Sequence, residues 1–427
     1  MRQLISYGIA FLGPAATAGS QFLLSLVLLR VMSPDLFGHF SFLLVLSLFS
    51  LGIWSALFSA ALPVIVADHD AARREPRLAT LFAANLLSMV VVVPLFAAIA
   101  WGLGLPLDTG LPFSLFAALS LLRLFARAHA YAVGQPLRVM ASDLCYGLVT
   151  IAGLPLLLFA DVQPGPTAAT ILAVSALLAV LMFGGGYLRR QFARFPEGLV
   201  QRYLEIWRTH SGWSLIGVLT TEATSNAHAY VVTLFAGPAA FAVLAASSLL
   251  TRPVNVVLIA LSDFERARMA RQIAARDGAA LSRSLGHFRL AIGAVWLGTA
   301  LVLAGVLLFV PRLVFPPEYA LSTLALGSAL WMTVALVRGL RAPESAMMQG
   351  AGEFRPLASA SVASALVSLA SVAGLLAVAP PIWSIAGVLI GDVTFAVCLW
   401  LKAWAWRKSR AMVPHPGPAP LEKAAPW

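Results

Sequence analysis

This sequence has little charge. Only 11% of its 427 residues are Asp, Glu, Lys or Arg, against about 25% in a soluble globular chain. Hydrophobic residues make up 60% and the mean hydropathy is +0.88. Most of the surface must therefore face something other than water, which excludes an ordinary soluble protein. Cysteine is scarcer still: Cys145 and Cys398 each lie inside an apolar run, so neither a disulfide framework nor a thiolate metal site is expected. His129 and His228 have no ligand spacing to a second His or Cys, so no metal site of any kind is expected. Gly184-Gly185-Gly186 has no Lys-Ser or Lys-Thr after it and no strand before it, and is not a phosphate loop. No soluble domain of useful size remains, so the function must sit within the membrane.

What is present is a series of apolar runs. The first follows Met1-Arg2-Gln3 and lasts to Leu29, longer than the roughly 7 to 15 residues of a signal-peptide core, and reads as a retained helix. The others fall at 38–66, 78–101, 112–133, 139–160, 166–188, 212–235, 239–261, 286–310, 320–337, 357–379 and 382–401. A span needs about 20 apolar residues. The chain is expected to be an all-α polytopic membrane protein of about twelve transmembrane helices. They divide into an N-terminal six-helix lobe at 1–200 and a C-terminal one at 201–410. The tail at 411–427, with Met412-Val413-Pro414-His415-Pro416-Gly417-Pro418, reads as disordered.

The Lys and Arg residues predict orientation. With the amino terminus inside, 23 of the 29 fall in the even-numbered connections and the tail, including Arg138, Arg189, Arg190, Arg194, Arg355 and Lys423. Only Arg30 and Arg312 lie opposite, and Arg123, Arg127, Arg252 and Arg289 lie within runs. This bias predicts both termini on the cytoplasmic side. It also accounts for the net charge of +11 through contact with membrane lipids, without nucleic acid. Trp101 and Trp383 at outer ends, and Trp400, Trp404 and Trp406 at an inner end, read as an aromatic belt. The outer connections are short, which counts against a membrane-embedded polysaccharide polymerase or glycosyltransferase. The inner ones at 189–211 and 262–285 are longer and basic, and are expected to lie as helices along the membrane surface.

Two echoes join the halves. Pro34-Asp35-Leu36-Phe37-Gly38 opens the second helix and Pro238-Ala239-Ala240-Phe241-Ala242 the eighth. Arg123 and Arg127 precede Gly134 and Arg138, much as Arg338 and Arg341 precede Gly350 and Arg355. Duplication is expected, with parallel repeats of six helices around a central cavity.

The stretch from Leu29-Arg30-Val31-Met32-Ser33 through Phe37-Gly38-His39-Phe40 resembles the helix 1 to 2 junction of polysaccharide-repeat-unit flippases. Phe235-Ala236-Gly237-Pro238 through Leu244 is similar to their helix 7 to 8 junction. Ser33 and Phe37 stand where that family more often has Gly and Tyr. The family lies in the multidrug/oligosaccharidyl-lipid/polysaccharide exporter superfamily. The resemblance implies alternating access and an undecaprenyl-pyrophosphate-linked oligosaccharide carried across a bacterial cytoplasmic membrane. It implies neither covalent chemistry nor a cofactor, and it brings polysaccharide assembly proteins into view as partners. A multidrug exporter of the same superfamily is the main alternative, though a cationic-drug site would want carboxylates and aromatics without an arginine excess.

An Arg at the centre of a membrane helix costs roughly 2.5 to 3.5 kcal/mol, so it faces a cavity or a partner by default. Arg123 and Arg127 share a helix face, Arg338 and Arg341 nearly do, and Arg252 lies deep in the second half. Converging on the cavity, these five would offer bidentate donors to a pyrophosphate. Arg127, Arg338 and Arg341 could equally snorkel to the inner interface. Arg289 reads as an interfacial anchor and Asp143 as a helix cap or interface residue. Glu222, with Asn226 on its face, and Asp392 are candidates for ion coupling or for partners of the arginines. The salt-bridge reading is favoured for Asp392, and Glu222 stays open. Gly387 and Gly391, in a G-x-x-x-G pattern, suggest close helix packing and say nothing of dimerisation.

Overall fold

The structure, a computed structural model, describes residues 2–66, 70–192 and 196–411. Arg194, Lys423 and the expected tail from 412 onward lie outside the described residues. Among the described residues twelve long helices dominate. They are α1 (Arg2–Val31), α2 (Pro34–Trp54), α3 (Ala71–Gly102), α4 (Leu107–Ala132), α5 (Pro136–Phe159) and α6 (Pro164–Leu181), then α7 (Gly212–Ala236), α8 (Pro238–Ser248, continued through Leu249–Thr251 into Arg252–Ala274), α9 (Gly278–Phe309), α10 (Leu321–Gly350), α11 (Phe354–Val378) and α12 (Ser384–Ala411). Among the described residues eleven helices are long and apolar enough to cross a membrane. α7, with 25 residues, holds the remaining place.

Local chemistry sets the helix starts. Proline opens α2, α5, α6 and α8, where its missing N–H removes a donor that would be unpaired anyway. Ser33 caps α2 by accepting from the Leu36 N–H at 3.3 Å, and Asp277 caps α9 by accepting from Ala280 at 2.8 Å. Gly237, at φ +87°, makes the single-residue turn from α7 to α8 in a conformation that strongly favours glycine.

The helix pairings repeat. In the first half α1 packs on α5, α5 on α6, α6 on α4, and α4 on both α3 and α2. In the second half α7 packs on α11, α11 on α12, α12 on α10, and α10 on both α9 and α8. Each pairing has its counterpart six helices later, which is the arrangement of two parallel lobes. Between the lobes α2 packs on α7 and α8, and α8 touches α1. The sequence echo lies at this junction. A Cβ on Gly38 would come within 2.0 Å of the Pro238 carbonyl oxygen, so only glycine lets the two helix starts approach so closely. Phe42 meets Phe241 and Tyr230 edge-on at 6.2 and 6.1 Å. Beside them the Arg30 guanidinium donates to the Arg312 carbonyl at 3.5 Å.

At the other end the lobes meet through two widened turns. Ala60 N–H bonds to the Ser55 carbonyl, one residue further back than in an α-helix, and a second such turn spans Trp207–Ser211 before α7. The Leu57 carbonyl in the first turn accepts from the Tyr203 hydroxyl at 3.1 Å and from Ser211 Oγ at 2.7 Å. Burial pushes the Tyr203 hydroxyl up to about 12, which keeps it a donor.

Several expectations are corrected. Residues 262–285 are not a surface helix: α8 runs on to Ala274 and α9 starts at Gly278, leaving a short turn. The connection before α7 is helical as expected, carrying among the described residues Gly185–Gln191, Leu199–Ile206 and the widened turn Trp207–Ser211. α10 does not stop at 337, because Arg338, Arg341 and Glu344 are each paired and the helix continues to Gly350. Asp143 is no cap: it is fully buried inside α5, where two arginines reach it. Arg289 lies well inside α9 and pairs with Glu344, which also takes Arg407 at 3.2 Å. Gly387 and Gly391 bring α12 against Val372 and Ser368 of α11 within one lobe.

Candidate substrate site at the lobe interface

Each lobe holds two arginines on one carboxylate. In the N-terminal lobe Arg123 of α4 donates to Asp143 Oδ1 at 2.6 Å and Arg127 lies 3.2 Å from Oδ2. Arg123 also donates to Ser142 at 3.2 Å and to Thr17 of α1 at 3.3 Å, and it lies 4.4 Å from the Tyr146 ring centroid. Its guanidinium is only 8% exposed. A charge so enclosed is tolerable only when paired and hydrogen-bonded, and this one ties α1, α4 and α5 together.

In the C-terminal lobe Arg338 Nε donates to Asp392 Oδ2 at 2.8 Å and Arg341 to Oδ1 at 3.0 Å. Arg341 also lies 4.2 Å from the Phe395 ring centroid. Asp392 is fully buried, while the two arginine side chains as a whole remain about a fifth exposed. Arg338 Nη2 and Arg341 Nε are buried with no hydrogen-bond partner. Both arginines line a cavity of about 230 Å³ between α8 and α10, with Leu258, Ser262, Ser345 and Gln349 on its walls. One carboxylate under two guanidiniums leaves a net positive charge at the edge of this space.

Arg252 differs from the other four. It follows the tight turn Leu249–Thr251 in α8 and donates to Ser25 Oγ of α1 at 2.9 Å, across the lobe interface. Among the described residues it has no acidic partner. Glu222 has no arginine partner either. Its Oε1 accepts from Asn226 Nδ2 at 3.0 Å and from the Tyr230 hydroxyl. Tyr230 in turn packs against Phe42 and Phe49 of α2.

The five predicted arginines therefore do not meet in one cluster. The structure places Arg123 and Arg127 on Asp143, Arg338 and Arg341 on Asp392 beside a cavity, and Arg252 on the other lobe's Ser25. Sequence reasoning missed Tyr230, although positions 222, 226 and 230 share one helical face. It also missed Glu344 as a bridge, and Ser25, which no local signal marks. His129 and His228 sit among aromatic rings, and no group of three metal-binding side chains occurs among the described residues.

No family model and no curated protein matches the sequence. Solved structures match along nearly its whole length. An inward-facing multidrug resistance MATE family transporter of the MOP superfamily superposes with a TM-score of 0.69 at 12% identity, covering 92% of this chain and 96% of that one. The lipid II flippase MurJ in an inward closed conformation gives 0.67 at 12% identity, with 94% and 87% covered. A MOP superfamily transporter from Pyrococcus furiosus, described as having a binding pocket of reverse polarity, gives 0.62 at 12% identity, with 94% of each chain covered. The chain has the MOP transporter fold. It is a multi-pass membrane protein whose structural neighbours move substrates across membranes, and both multidrug transporters and a lipid flippase share its architecture.

Proposed function

We propose that this chain is a flippase for undecaprenyl-pyrophosphate-linked oligosaccharide, carrying it from the inner to the outer leaflet of a bacterial cytoplasmic membrane during polysaccharide biosynthesis. Both termini lie on the cytoplasmic side, as the Lys and Arg distribution indicates. The observation that carries the reading is Arg252: an arginine within α8 with no carboxylate partner among the described residues, hydrogen-bonded across the contact between the two lobes. An arginine kept unneutralised there suits an anion that both lobes must hold in turn, and its fork matches a pyrophosphate. Arg338 and Arg341 extend the positive field along α10. The likeness to MurJ, a flippase of lipid II, supports a lipid-linked substrate, and the Pyrococcus protein is a precedent for altered pocket polarity in this fold. Glu222, held by Asn226 and Tyr230, is the proton- or ion-coupling residue, and Asp392 is the fixed partner of Arg338 and Arg341. No covalent chemistry is involved.

One observation favours a second reading, a multidrug exporter: Glu222 lies beside Tyr230, which packs on Phe42 and Phe49 at the lobe interface, and a carboxylate among aromatic rings suits an organic cation. Proteoliposomes separate the two. The flippase reading expects labelled undecaprenyl-pyrophosphate oligosaccharide to change leaflet and a cationic dye not to accumulate. Dye accumulation without lipid transfer would favour the exporter.

A further inference from the structure

A second cavity, of about 190 Å³, lies away from the lobe interface in the N-terminal lobe. It opens where α4 ends, α5 begins and the basic connection after α6 folds back. Its walls include His129, Arg138, Phe183, Gly186, Tyr187 and Arg190. Three features point to a ligand. His129 is 8% exposed, and its Nε2 is buried without a hydrogen-bond partner. Arg138 Nη1 is held by the Phe183 carbonyl at 2.7 Å, a neutral acceptor, and no carboxylate pairs with Arg138 among the described residues. Arg190, the other cation on the wall, is partly neutralised by Glu75. The site thus keeps a net positive charge and an orphaned ring nitrogen inside walls formed largely by Phe183, Tyr187 and Ala130.

We propose that this cavity binds the phosphodiester headgroup of an anionic phospholipid in the leaflet at the arginine-rich end of the bundle. Arg138, oriented by the Phe183 carbonyl, donates to a phosphate oxygen. The His129 ring lines the wall beside it, its Nε2 enclosed. The apolar wall and the flanking exposed Tyr131, Leu137 and Phe192 carry the glyceride end. Basic pockets between membrane helices hold phospholipid headgroups by this combination of charge and apolar surface. A soluble anion would gain nothing from the apolar part.

The test is native mass spectrometry of the purified full chain with phosphatidylglycerol, phosphatidylcholine or inorganic phosphate, using the parent, Arg138→Gln and Gly186→Phe. A Cβ on Gly186, which lines the cavity, would meet no heavy atom within 4 Å, so the phenylalanine is added without conflict at the Cβ, is intended to block the cavity and leaves every charge in place. The expected result is preferential retention of phosphatidylglycerol, about fivefold weaker in Arg138→Gln and lost in Gly186→Phe. Equal retention of phosphatidylcholine by the parent, or displacement of the lipid by millimolar inorganic phosphate, would overturn the proposal. So would parental retention in Arg138→Gln, which decides alone where Gly186→Phe does not fold.

Discussion

The two lobes carry the same charge arrangement in different surroundings. On the N-terminal side Asp143 comes from α5, and Arg123 is enclosed by Thr17, Ser142 and Tyr146. On the C-terminal side Asp392 comes from α12, and Arg338 and Arg341 border a cavity; each site leaves two buried polar atoms without a hydrogen bond, Arg127 Nε and Asp143 Oδ2 in the first, Arg338 Nη2 and Arg341 Nε in the second. Although the helix pairings repeat between the halves, the carboxylate is supplied by non-equivalent helices. The first arrangement is a clamp that holds three helices together. The second is a positively charged wall beside a cavity. A duplicated scaffold can thus keep its arginines and change their role by moving the acid.

The largest effect should come from Asp143→Ala. It leaves the enclosed Arg123 and the quarter-exposed Arg127 without their carboxylate, and removing one partner of a buried pair costs roughly 3 to 5 kcal/mol. Thermal unfolding in detergent should show this, and Arg123→Leu added to Asp143→Ala should recover part of the loss. Asp392→Ala should cost less, on the order of 2 kcal/mol, because Arg338 and Arg341 can turn toward the cavity, and added pyrophosphate should restore part of it. Equal losses in the two variants would erase the distinction between clamp and wall.

A smaller change is expected at the junction between the lobes. Gly38→Ala drives a methyl group into the Pro238 carbonyl, and overpacking of this kind costs about 1 to 3 kcal/mol. Labelling of Ala239→Cys by an impermeant thiol reagent should accelerate in the Gly38→Ala background as the helix starts part. The smallest stability effect belongs to Glu222→Gln, which keeps the contacts of Asn226 and Tyr230 and should shift unfolding by under about 1 kcal/mol. Its signature is functional: transport persists but stops responding to an imposed ion or proton gradient.

Much of this architecture is legible in the residues themselves. Long apolar runs broken by Pro and Gly fix the helices, and the echo of Pro34 to Gly38 in Pro238 to Ala242 marks where the halves touch. Spacing within one helix shows that Arg123 and Arg127 share a face, and that Glu222, Asn226 and Tyr230 do too. Contacts between helices are not written in local spacing. Nothing near Asp143 says that it serves α4, and nothing near Arg252 says that it reaches Ser25. The end of α10 was also hidden, because Arg338, Arg341 and Glu344 read as a connection until their partners Asp392 and Arg289 are seen.

In the proposed function the lobe-bridging Arg252, which has no acidic partner among the described residues, serves an anionic lipid-linked substrate. Leaflet-resolved transfer of labelled undecaprenyl-pyrophosphate oligosaccharide in proteoliposomes, measured for Arg252→Ala and Arg252→Lys beside the parent, tests it most directly. The expected result is at least about a tenfold loss for alanine, equal to roughly 1.4 kcal/mol, and partial retention for lysine, which keeps the charge without the fork. Transfer at the parental rate in Arg252→Ala would contradict it.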